Sequence, residues 1–156
     1  MIDQQVVETW RIHNRAHLML LEAISDEGLG CTLSARGGRN VALQFAHLHN
    51  VRLWRFERYA KELVQGQAKI DPNSDVTRGL LVRRLTESGE AMAGWLQQSV
   101  SAGGEIRGFK RGAVAMLGYL IAHESHHRGS VLLTLKQCGH PVPKETRDGI
   151  WAWNQI

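Results

Sequence analysis

Cysteine is scarce. Cys31 and Cys138 are the only two in 156 residues, and their wide separation rules out a disulfide framework or a clustered cysteine metal site. Long apolar runs are missing too: nothing approaches the roughly eighteen residues that cross a bilayer, and the mean hydropathy is -0.27. The opening residues Met1-Ile2-Asp3-Gln4-Gln5 carry neither the basic region nor the apolar region of a secretory leader. A soluble chain in a reducing cytoplasm, without a membrane partner, is the expectation. Runs of alternating strand residues are also lacking, which excludes a sheet protein and leaves an all-α fold.

The net charge is +4 and the pI about 9.4. Nucleic acid is the usual partner of a basic chain, but here the basic residues are scattered through every segment among acids and apolar residues. Arg52, Arg55 and Arg58 do form a helical stripe, read as a solvated face rather than a phosphate track. No nucleic-acid partner is expected.

Four helical patterns account for most of the chain, which has the size of a single domain over residues 1–156. The first runs from about Asp3 to Ile24, with Val6, Trp10, His17, Leu21 and Ile24 at helical spacing. The second is capped by Asn40, repeats Leu43, Ala46, Val51, Trp54, Phe56 and Leu63, and ends at Gly66. The third starts with Ser74 or Asp75 as cap, after the turn Asp71-Pro72-Asn73-Ser74, and closes at Gly103-Gly104. The fourth spans about Arg111 to Gln137 and is terminated by Gly139-His140-Pro141-Val142-Pro143, because glycine accepts the left-handed cap and proline cannot continue a helix. Four long helices in one small domain imply a four-helix bundle. The tail Ile150-Trp151-Ala152-Trp153 is too aromatic for a solvated end and should fold back on the bundle.

Chemistry concentrates in His123-Glu124-Ser125-His126-His127. Residues four apart share a helix face, so His123 and His127 aim at one point, an arrangement that suits a metal ion. A third ligand must come from elsewhere, and His47-Leu48-His49 lies in the second helical pattern, where His47 falls on the stripe of Leu43, Val51 and Trp54. The result is a His₃ candidate with an open position. His13 and His17 are also four apart, but nothing else in their helix supports a site. His126 and His49 point away from their neighbours, and His140 sits in the closing loop.

The same stretch satisfies H-E-x-x-H, the helix motif of zinc proteases with glutamate as general base. Proteolysis is disfavoured: the extended motif demands glycine where Ser130 stands, and there are no strands from which to build a peptide-aligning sheet edge.

The run Leu120-Ile121-Ala122-His123-Glu124-Ser125-His126-His127-Arg128-Gly129-Ser130, followed by Gly139-His140-Pro141-Val142-Pro143 and Gly149-Ile150-Trp151-Ala152-Trp153, resembles the DinB/YfiT-like superfamily of metal-binding four-helix bundles. The likeness spans nearly the whole chain and includes the first helix around Asn14 and Ala46-His47-Leu48-His49-Asn50. It implies an up-down-down-up bundle with a long connection near Gly66 to Asp75. It implies a divalent metal on His47, His123 and His127. Imidazoles suit zinc, nickel, copper and iron, of which zinc or nickel is expected here, and a homodimer is expected as well. Ser130 departs from the glutamine that many relatives carry after Arg-Gly. Some relatives are thiol S-transferases or isomerases that use a low-molecular-weight thiol.

Three neutral imidazoles leave a metal its full charge and an open position, so a thiol or water bound there is acidified. That chemistry suits either S-transfer or hydrolysis, and the resemblance favours metal-dependent thiol S-transfer on a small-molecule substrate, with Arg128 or Arg52 near the mouth to receive a carboxylate of the thiol cofactor. A metal-dependent hydrolase and a non-enzymatic metal-binding or dimerisation scaffold are the alternatives. Neither cysteine stands in a nucleophile context, so the thiol must come from outside the chain.

Overall fold

The periodic segments become helices, and the residues that end them also set how they pack. The computed structural model of the protein covers residues 1–156 and is all-helical. Its elements are α1 (Ile2–Ala23), α2 (Asp26–Leu29), α3 (Val41–Tyr59), a 3₁₀ turn (Lys61–Val64), α4 (Arg78–Ser101), α5 (Gly112–Gln137) and α6 (Lys144–Gly149). Four of these are long, an arrangement compatible with a four-helix bundle. No helix is long and apolar enough to cross a membrane.

Two boundaries differ from expectation. The N-cap of α4 is Thr77, whose hydroxyl accepts the Leu80 N–H, rather than Ser74 or Asp75. Ser74 is held in the preceding turn, where its hydroxyl donates to the Asp71 carbonyl at 2.7 Å. The second helix stops at Tyr59, and Leu63 reaches the core from the 3₁₀ turn instead. At the end of α5, Gly139 takes a positive φ of 80°, so its N–H reaches the Lys136 carbonyl and the His140 N–H reaches that of Leu135 at 2.9 Å.

The apolar core is two clusters. One holds Leu20 and Leu21 of α1, Phe45 and Leu48 of α3, Leu81 and Leu85 of α4, and Val131 and Leu135 of α5. The other holds Val7 and Trp10 of α1, Leu53 and Phe56 of α3, Met92 and Leu96 of α4, and Met116 and Leu120 of α5. Each long helix also brings buried polar groups to the middle of the molecule: His13 and His17 from α1, Arg52 from α3, Ser88 from α4 and Glu124 from α5. α1 and α4 approach closely at this level. The Trp10 indole N–H donates to the Gly89 carbonyl at 2.8 Å, and a Cβ on Gly89 would lie 2.4 Å from Asn14 Nδ2.

At the C-terminus Ile150 is fully buried and Ile156 packs on the same cluster. Trp151 is 70% exposed, so the residue seated deepest is aliphatic. Trp54, read from periodicity as part of an apolar face, is exposed as well, and so is Val114 at the start of α5. Cys31 and Cys138, distant in sequence, meet where α2 faces the end of α5: Cys138 Sγ lies 3.9 Å from the carbonyl of Thr32. Burial, and then the neighbouring Cys138, pushes the Cys31 thiol up.

Candidate metal centre

α5 presents two kinds of group from one stretch because successive residues turn by about 100°. His123 and His127 come out on the side that faces α3, where His47 meets them. Ring centroids are 5.5 Å apart for His47 and His123, and 4.8 Å for His127 with each of the others. The nitrogen donors of the three lie within 4.8 Å of one another, with no fourth histidine, cysteine or carboxylate in the group. All three residues are half-buried.

The three imidazoles are held neutral at pH 7. Burial and the nearby Arg39 and His123 bring His47 down to about 4. Burial, His47 and His123 bring His127 to about 4. His123 is lowered by burial, with Arg55 adding to the effect and Glu124 opposing it. Neutral imidazoles offer lone pairs, the state a metal requires. The His123 Nδ1 is buried and has no partner in the protein, as expected of a donor set that fits an ion. Tyr119, one turn before His123, stacks on its ring at an interplanar angle of 3° and holds the guanidinium of Arg55 over its own face.

Glu124 turns the other way, into the polar layer, where it is 1% exposed. Arg52 donates from Nε to Oε1 at 2.7 Å and from Nη2 to Oε2 at 2.8 Å, and its Nη1 donates to the Leu85 carbonyl at 3.0 Å. His13 Nε2 lies 3.1 Å and His17 Nε2 3.2 Å from Oε2, and the two histidine nitrogens are 3.1 Å apart. Burial alone would raise the carboxyl, but the Arg52 charge and the donated hydrogen bonds hold it well below the usual carboxylate range. Burial lowers His13 and takes His17 to about 3. By donor type, His13, His17 and Glu124 form a second, buried group that could hold a metal ion.

This layer corrects several expectations. Arg52 is fully buried and bonded through its whole fork, so it does not face the mouth: five residues beyond His47 it has turned into the core. Arg128 is 5% exposed, donates to Ser125 Oγ at 3.3 Å and lies over the Trp151 ring. The arginines whose charge reaches the histidine trio are Arg39 and Arg55. His13 and His17 do have a supporting partner, contributed by α5 rather than by their own helix. His49 is buried, with Nε2 2.9 Å from the Ala68 carbonyl, and so pins the α3–α4 connection. His126 is exposed.

A sequence model described as DinB family matches residues 1–152. No curated protein matches the chain.

Proposed function

Since the chain belongs to the DinB family, we propose that it binds a divalent metal, zinc or nickel, through His47, His123 and His127, and that it is a thiol S-transferase using a low-molecular-weight thiol. The carrying observation is three neutral, half-buried imidazoles converging at a mouth with no fourth protein donor, which leaves a position for an external ligand. A divalent ion held there supplies the positive charge that makes a thiol or water donor more acidic. The chain's own part is to hold the imidazoles deprotonated, to fix the His123 ring against Tyr119, and to surround the mouth with the cations of Arg39 and Arg55. The scaffold we propose is an up-down-down-up bundle. Its support is that α1 and α5 run from the Trp10 cluster to the Leu20 cluster while α3 and α4 run the reverse way. The aromatic tail would close one end through Ile150. A small-molecule substrate, a homodimer and a cytoplasmic setting complete the proposal.

Hydrolysis of the H-E-x-x-H kind is the weaker reading, because Glu124, which would be the general base, is bonded to Arg52 on both oxygens and faces the core. The buried trio of His13, His17 and Glu124 is the alternative metal seat, favoured by the convergence of His13 Nε2, His17 Nε2 and Glu124 Oε2 on one point. Against it, a divalent cation on Oε2 would sit beside the Arg52 guanidinium in a region closed to water.

Elemental analysis of purified variants separates these seats. We expect His127→Ala to lose the metal and His13→Ala to keep it, and S-transfer, screened with small thiols and an electrophilic acceptor, to disappear with the metal. Metal retained in His127→Ala and lost in His13→Ala overturns the assignment. A metal-replete wild type inert with every thiol and ester favours the scaffold.

A further inference from the structure

A cavity of about 260 Å³ opens beside His47, lined by Arg39, Leu43, Trp54, Ile70 and Pro72 among others. Its volume lies just below the usual range of small-molecule pockets, which suits a compact ligand. The walls are mostly apolar, and each polar group but one is already engaged. Asn50 donates to the Ile70 carbonyl at 2.9 Å and accepts the Ile70 N–H at 2.8 Å, so it fixes the wall and has little left to offer a ligand. His47 belongs to the histidine trio. Nearby, Lys69 lies over the Trp54 ring but is paired with Glu57 at 2.7 Å, and Arg55 donates to the Tyr119 hydroxyl. Arg39 alone is exposed and without an acidic partner, and no carboxylate lines the cavity.

We propose that this cavity is a subsite for a small organic carboxylate: Arg39 binds the carboxylate, and Leu43, Trp54, Ile70 and Pro72 enclose the apolar body next to the histidine trio. The flat guanidinium fork matches two coplanar carboxylate oxygens. A phosphate dianion would call for more donors than this wall presents. As a substrate subsite the cavity rests on the trio being the reaction centre; as a binding site it does not require a metal.

Calorimetric titration of benzoate and of benzamide into metal-free and zinc-loaded protein tests it. In the metal-free protein, Arg39→Ala should weaken benzoate binding about tenfold or more, Arg39→Lys should restore part of it, and neutral benzamide should bind the wild type about tenfold more weakly than benzoate. Helical content and zinc stoichiometry should not change in the Arg39 variants. Equal benzoate affinity in wild type and Arg39→Ala overturns the proposal, as does absence of benzoate binding to both metal-free and zinc-loaded wild type. Arg39-dependent benzoate binding in a protein that takes up no zinc would sink the metal assignment and leave this subsite standing. Zinc uptake with Arg39-indifferent benzoate binding would do the reverse.

Discussion

His123 and Glu124 are adjacent and do opposite work, because one residue of helix is enough to turn a side chain from the mouth into the core. His127 and Arg128 repeat the division one turn later. The carboxylate of Glu124 is stable in its buried place only because Arg52 and two histidines surround it, and a buried charge left without its partner is costly. Glu124→Gln and Arg52→Met should therefore each lower stability by about 3–5 kcal/mol, read from urea unfolding. The pair Arg52→Met with Glu124→Leu should regain much of that loss, since no charge is then stranded. Single variants within about 0.5 kcal/mol of wild type would mean that the ion pair is solvated in solution. Lost activity in Glu124→Gln is accordingly no sign of a general base unless the variant is folded and metal-replete under assay.

The elements of the fold were largely legible. Apolar spacing located the four long helices, since each must bury one stripe against the others. Their ends were less so, because several residues in a row can cap. Ser74, Asp75 and Thr77 all suit the start of α4, and what decides between them is that the Asp71 turn occupies Ser74. Periodicity also runs across the break after Tyr59, since Leu63 reaches the same cluster from the 3₁₀ turn. Thr77→Ala should cost about 1 kcal/mol through loss of the cap, and Asp75→Ala should stay within about 0.5 kcal/mol. Thermal unfolding of the two variants measures the difference. Equal losses would move the helix start back toward Asp75.

At the scale of the whole molecule, what the sequence concealed is contact between distant segments. The i, i+4 pair of α5 is visible in one helix, and the family resemblance named His47 as its partner. Nothing periodic announces that Glu124 meets His13 across 111 positions or Arg52 across 72. A buried polar layer drawn from all four long helices has no local pattern, and its arginine looked like any surface arginine. The layer makes stability depend on pH in a direction that can be worked out. His13 and His17 have folded-state pKa values below the ordinary 6.5, His17 at about 3. As pH falls below about 6.5 the unfolded chain takes up protons that the folded layer refuses, so the folded state loses ground. Glu124 adds to this at lower pH: its stabilisation is complete above the usual carboxyl range and is lost as pH falls toward its depressed value. Metal-free protein should therefore unfold at progressively lower urea concentration between pH 7 and pH 4. His17→Leu removes one of these sites, and the slope of stability against pH should shrink by up to about 1.4 kcal/mol per pH unit. A stability flat from pH 7 to pH 4.5, or a slope untouched in His17→Leu, would show that the layer opens to water and accepts protons without unfolding.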